Sequence, residues 1–270
     1  MQRLRRLWFV AVLALVAIGC ASGTSADVEV RPFSEVQASE FSFEIDPTNP
    51  ARGIFHVTTT EPMICAIVWG EDTDFGNFNN SLNMAGTGII EHDVFLPGAE
   101  PGVEYAFVVQ GTTADGTFYR SDVSTFTIPE GESPAASTEP NLAEGAEIVE
   151  VSSEFNDAFA APSAVDGDPT TEWSTAGDGD DAFITFDVGA VVDVERVEFL
   201  TRSMTDGSAT TESFFVTVDD GDTLGPFPAG NPAEPQTTEV SLSGQVFRFD
   251  VAASTGGNTG AVEIRLLGGD

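Results

Sequence analysis

The stretch DAFITFDVGAVVDVERVEFL, residues 181–200, decides the fold class. In it Ile184, Phe186 and Val188 alternate with Thr185 and Asp187, so an extended segment carries one apolar and one polar face. The same period of two recurs in Phe214, Val216 and Val218, and in Phe247, Phe249 and Val251 against Arg248 and Asp250. It returns near the end of the chain, where Val262, Ile264 and Leu266 oppose Glu263 and Arg265. Such runs, separated by gaps containing Gly and Asp, predict an antiparallel β-sandwich or jelly roll.

Working outward, the chain reads as two all-β blocks, residues 28–129 and 141–270. Between them EGESPAASTEP (130–140) has the Pro, Ser and Glu content of a linker and no apolar period. No helical period is sustained beyond residue 20. In the first block Phe55 and Val57 alternate with His56 and Thr58, and MICAIVWG (63–70) is apolar on both faces, as in a central strand. EHDVFL (91–96) and EYAFVVQG (104–111) follow, and TADG (113–116) offers a hairpin turn before FYRSDVSTFTI (118–128). Pro101-Gly102 ahead of Tyr105 at a strand start has the pattern of a tyrosine corner. With ARGIFHVTTTEP (51–62), MICAIVWG, PGVEYAFVV (101–109) and DGTFYRSDVSTFTIP (115–129), the stretch 51–129 resembles a fibronectin type III domain, especially those that precede metallophosphatase domains. The resemblance implies a β-sandwich and says almost nothing about activity.

A two-metal phosphatase needs a cluster of His, Asp and Asn ligands. This chain has two histidines, His56 and His92, both expected at the surface: one on the polar face of its strand, the other at a strand start beside Glu91. No GxSxG, HExxH or P-loop spacing occurs, so no catalytic residue is assigned and no enzyme is expected.

The N-terminus reads as an address. Arg3, Arg5 and Arg6 precede LWFVAVLALVAIG (7–19), an apolar run short of the ~20 residues of a spanning helix, so residues 1–19 are expected to be a signal peptide. AIGC (17–20) resembles the lipobox of bacterial lipoproteins. That resemblance implies acylation of Cys20, a tether over 20–27, and a membrane-anchored protein at the cell envelope facing outside the cytoplasm. An ordinary secretory cut near Ala26 is the alternative. With Cys20 acylated, Cys65 is the one thiol left, no disulfide forms, and its place inside MICAIVWG predicts an inert buried group. Ten arginines and no lysine face 44 acidic residues, a net charge of −34. That balance repels phosphate backbones and anionic headgroups, which excludes nucleic-acid binding through a basic surface and leaves membrane contact to the lipid anchor.

The order of motifs in the second block is specific. NLAEGAEIVEVSSEF (141–155), SAVDGDPTTEWST (163–175), DAFITFDVGAVVDVERVEFLTRSM (181–204) and TGGNTGAVEIRLLG (255–268) resemble a coagulation factor 5/8 type C, or discoidin, domain, and within that group the family 32 carbohydrate-binding modules. The resemblance implies a structural calcium ion, held by side chains of Asp166, Thr171 and Glu263 and carbonyls of Ser163, Asp168, Thr171 and Val262. It also implies a shallow sugar site in the loops at one end of the sandwich, where Phe155, Asn156, Arg202 and Asn258 are the candidates. Phe155 has capping the core as its alternative, and Arg202 has pairing with a neighbouring carboxylate. Trp173 is expected in the core. The runs GDGDD (177–181) and DDGD (219–222) lack EF-hand spacing and read as solvated loop tips. TLGPFPAGNPAEPQ (223–236) departs from the family's strand spacing and is expected as an edge loop. The expected function is non-catalytic binding or adhesion to a cell-surface or matrix glycan. The alternative is a structural envelope protein whose modules bind protein partners.

Overall fold

The alternating sequence builds strands throughout. The computed structural model describes residues 29–81, 88–129 and 139–268. The signal peptide, Cys20, the tether 20–27 and most of the linker lie outside the described residues.

The first sheet holds β1 (Val30–Pro32), β2 (Ser42–Ile45), β3 (Arg52–Gly70), β4 (Asn77–Asn80), β5 (Ile89–Pro97), β6 (Glu104–Thr113), β7 (Phe118–Arg120) and β8 (Ser124–Thr127). Strand β3 organises it. Its first half, Arg52–Thr58, pairs with β2 and β5, and its second half, Met63–Gly70, pairs with β6 and β4. The register shifts between Thr58 and Met63, and Pro62, which cannot donate to a ladder, stands in that gap. The strand so passes from one layer to the other, and the core fills the space between. Phe55, Val57, Met63, Cys65 and Ile67 are fully buried there. Phe43 from β2 stacks on Phe126 from β8 with ring centroids 4.0 Å apart. Tyr105 is buried, and its hydroxyl accepts the Glu100 N–H at 2.9 Å, which closes the corner before β6.

Cys65 is a free, buried thiol, and burial pushes it up to about 12. The histidines need a correction. His56 is partly exposed, with Nδ1 2.5 Å from Asp93 Oδ1. His92 is fully buried. Its partner across the ladder is Val57, and directly opposed residues share a face, so His92 points inward with Val94 and Leu96.

The second sheet holds β9 (Glu147–Val151), β10 (Trp173–Ser174), β11 (Phe183–Thr201), β12 (Thr211–Val218), β13 (Thr223–Pro228), β14 (Thr238–Ser254) and β15 (Gly260–Leu267), in the order β10-β15-β11-β14-β12-β13 with β9 also on β11. In strand β11, Phe183–Asp187 pairs with β9 and β14, and Arg196–Thr201 pairs with β15. The strand keeps β14 as a partner again over Val192–Val197 and changes its other neighbour along its length. Ile184, Phe186, Phe214, Val216, Phe247, Ile264 and Leu266 are fully buried, so the period of two does set the inward face. Trp173 is buried in the same core, and its Nε1 donates to the Ser153 carbonyl at 3.1 Å. The elements are strands joined by loops and a few short 3-10 turns, so the chain is all-β. One stretch differs from expectation: TLGPFP is an edge strand on β12 rather than loop, and the edge position tolerates its two prolines.

Candidate functional site

The two sandwiches meet on a buried chain of charges. Arg52, at the start of β3, donates through Nε to Asp46 at 2.6 Å and through Nη1 to Glu172 at 3.0 Å. The other oxygen of Glu172 accepts from Arg202 Nε at 3.0 Å and Nη2 at 2.8 Å. Arg202 Nη1 then donates to the Asn258 carbonyl at 2.6 Å. Asp46, Arg52, Glu172 and Arg202 are 3%, 5%, 7% and 1% exposed, so four charges of alternating sign are sealed together. Removing charges from water is costly, and here each is offset by hydrogen bonds to its neighbours. Around the chain Asn49 Nδ2 donates to the Pro169 carbonyl at 2.8 Å, Thr48 and Ser203 hydroxyls lie 3.1 Å apart, and the Ala233 N–H reaches the Thr48 carbonyl.

A cleft of about 600 Å³ opens on this floor, with walls from both sandwiches. From the second come Phe155, Asn156 and Phe159, on the segment that follows β9. Asn156 caps the short turn Asp157–Phe159, its side chain accepting the Ala158 N–H at 2.8 Å, and the turn sets Phe159 edge-on to Phe155 with centroids 5.9 Å apart. Phe155 is 49% exposed, so it does not cap the core. From the first sandwich come Phe78, Asn79 and Asn80 on β4 and Phe95 on β5. Arg52 lies over the Phe95 ring at 3.5 Å, and Trp69 Nε1 donates to Asn79 Oδ1 at 2.8 Å.

Of the four sugar-site candidates, the structure brings Phe155 and Asn156 into the cleft. Arg202 lies beneath it, saturated by Glu172 and Asn258 and 5.8 Å from the Phe159 ring, which is the carboxylate-pairing alternative. Asn258 contributes its backbone carbonyl to that arrangement. Sequence reading passed over Arg52, Glu172, Phe159 and the NFNN strand (77–80). For the last, an aromatic set among amides at an edge, with no alternation to bury it, was the available signal.

The calcium candidates gather on the loop that leads to Glu172. Thr171 Oγ1 lies 2.8 Å from Asp166 Oδ2 and 3.0 Å from the Asp168 carbonyl. Gly167 takes φ 76, a conformation open to glycine, and its N–H donates to Glu263 Oε2 at 3.0 Å. Asn141 holds the other Glu263 oxygen at 2.9 Å. Burial first, then the Asp166 and Glu144 carboxylates, push Glu263 up to about 8 against the pull of the Gly167 N–H and Arg265. Val262 and Glu263 line a second cavity of about 560 Å³ beside this loop, and Ser163 stands in the preceding turn Ala161–Ala164. Among the described residues no three His, Cys, Asp or Glu side chains gather to hold a metal by themselves. A cation here would rely on carbonyls and a hydroxyl as well, and an all-oxygen set is of the kind that suits calcium. The acidic tips serve as caps: Asp180 accepts from Ser254, and Asp219 from the Gln245 and Val246 N–H groups.

Residues 148–264 match the F5/8 type C domain. No curated protein matches the chain. Among solved structures it is similar to SpGH29, at 19% identity and a TM-score of 0.41, covering 48% of this chain and 28% of that one. It is also similar to chitosan-binding module 1 of a chitosanase/glucanase from Paenibacillus sp. IK-5, at 20% identity and a TM-score of 0.38 over 48% of this chain and 99% of that one. A fucose-binding module of Streptococcus pneumoniae is similar at 13% identity and a TM-score of 0.40, over 50% and 99% of the two chains. The segment that carries Phe155, Asn156, Glu172 and Arg202 is therefore an F5/8 type C, or discoidin, domain spanning residues 148–264.

Proposed function

We propose that this is a non-catalytic carbohydrate-binding protein of the cell envelope, acylated at Cys20 and facing outside the cytoplasm, which takes glycan at the cleft edge of its discoidin domain. The observation that carries the reading is Phe155: the one exposed aromatic ring among the described residues of the second sandwich, beside the capping amide of Asn156 on the loop that follows β9. A planar apolar face suits the C–H side of a sugar ring, and an amide both donates to and accepts from its hydroxyls. The first sandwich, read as fibronectin type III-like with Tyr105 as its corner, holds the domain away from the anchor. Calcium, held by Asp166, Thr171 and Glu263 with the carbonyls of Ser163, Asp168, Thr171 and Val262, ties the 163–171 loop to β15.

Glycan-array screening of the full chain tests the reading. Binding to some glycan is expected, with Phe155→Ala removing it while the melting temperature stays put. A blank array overturns it in favour of a protein partner. Calcium should raise the melting temperature of the chelated protein, and Asp166→Ala should cancel the rise. Mass spectrometry of the mature N-terminus checks the acylation of Cys20.

A further inference from the structure

Among the described residues two aromatic side chains stand exposed, Phe78 at 60% and Phe155 at 49%, and they belong to different sandwiches yet line the same cleft. A single exposed apolar residue needs no explanation; two aromatic rings that line one cleft from different domains of a highly acidic chain do. Phe78 contributes nothing to its own core, and it sits on a short strand otherwise made of asparagines, Asn77–Asn80. Trp69 fixes the Asn79 amide from behind.

We infer that the first sandwich supplies half of the glycan site: Phe78, with the Asn79 and Asn80 amides, is a second stacking platform beside Phe155 and Asn156, and the cleft takes an extended, uncharged glycan of at least two linked sugars. This deepens the carbohydrate reading and rests on it. The cleft, at about 600 Å³, is larger than one sugar ring fills. Its polar lining is mainly amide and hydroxyl, chemistry that matches sugar hydroxyls. Its charges argue against anionic glycans. Asp93 and Glu172 line it, and the one cation in the lining, Arg52, is 5% exposed with its guanidinium committed to Asp46, Glu172 and Ser203. Nothing is left to pair with a sulfate or a uronate. The same buried charges hold the two platforms in a fixed relation before any ligand arrives, which lowers the ordering cost of binding.

Isothermal titration of the full chain tests this with galactose, N-acetylglucosamine, the linear trisaccharide of each, and a sulfated galactotriose. A trisaccharide should bind at least about tenfold more tightly than its monosaccharide, the worth of one added stacking contact. Phe78→Ala should erase that gain, Phe78→Tyr should keep it, and the sulfated form should bind more weakly than the neutral one. Equal affinities for the two chain lengths, or an unaltered trisaccharide affinity in Phe78→Ala, overturn the composite site. If Phe155→Ala abolishes binding while Phe78→Ala changes nothing, the carbohydrate reading stands and only this inference fails. Absence of binding to every probe overturns both. Phe78 is exposed and outside the core, so its truncation should leave the fold intact, and an unchanged melting curve checks it.

Discussion

His92 shows how much a single side chain answers to its register. It is fully buried, its Nε2 lies 3.2 Å from Thr59 Oγ1, and its Nδ1 has no partner among the described residues. Burial, which outweighs the attraction of Asp93, lowers it from 6.5 to about 4. In the unfolded chain the imidazole takes its proton near 6.5, and in the fold it stays neutral until about 4. Between those values the unfolded state binds more protons, so this group's contribution is complete above 6.5 and is lost as the pH falls toward 4, a loss on the order of 3 kcal/mol. Urea midpoints measured across that window should fall more steeply for the wild type than for His92→Gln. Its inward position was legible: His92, Val94 and Leu96 alternate as plainly as Ile184 and Phe186 do. Beside Glu91 and Asp93 it looked polar by association, and the residues facing outward hid the one facing in. Arg52, Glu172 and Arg202 were not legible, because partners 120 and 30 positions apart leave no local spacing to read.

Elements rather than residues explain why the site forms where it does. Strand β10 is two residues long, and it places Trp173 in the core and Glu172 on the buried floor of the cleft. It pairs with β15 at Gly260, where an added Cβ would meet the Trp173 carbonyl oxygen at 2.1 Å and the Ser174 Cα at 3.1 Å. Both are backbone atoms and cannot swing aside. Gly260→Ala should therefore cost about 1–3 kcal/mol through forced displacement of β10, read as a lowered melting temperature. The period of two announced β11, β12, β14 and β15. It could not announce that β3 and β11 each change neighbours along their length, since a bulge alters pairing without disturbing composition.

At the scale of the whole molecule, the two sandwiches are joined by more than a linker. Glu172 is the shared member of the buried chain, and truncating it leaves the Arg202 guanidinium without a carboxylate and Arg52 with Asp46 alone. Losing one partner of a buried pair typically costs about 3–5 kcal/mol. Calorimetry should give one cooperative transition for the wild type and two separate ones for Glu172→Ala, as the sandwiches cease to melt together. A single unshifted transition in the variant would show that the junction contributes nothing to cooperativity.

The hydrogen bond from Trp69 to Asn79 has a spectroscopic consequence. The chain has three tryptophans, and one of them, Trp8, falls in the expected signal peptide. The other two divide between the sandwiches: Trp69 donates to a residue of the cleft wall, and Trp173 adjoins Glu172 in its floor. Each indole is thus one residue or one hydrogen bond away from whatever occupies the cleft. The described residues carry a native fluorophore on either side of the junction, and occupancy of each wall should be visible as a change in emission without any label.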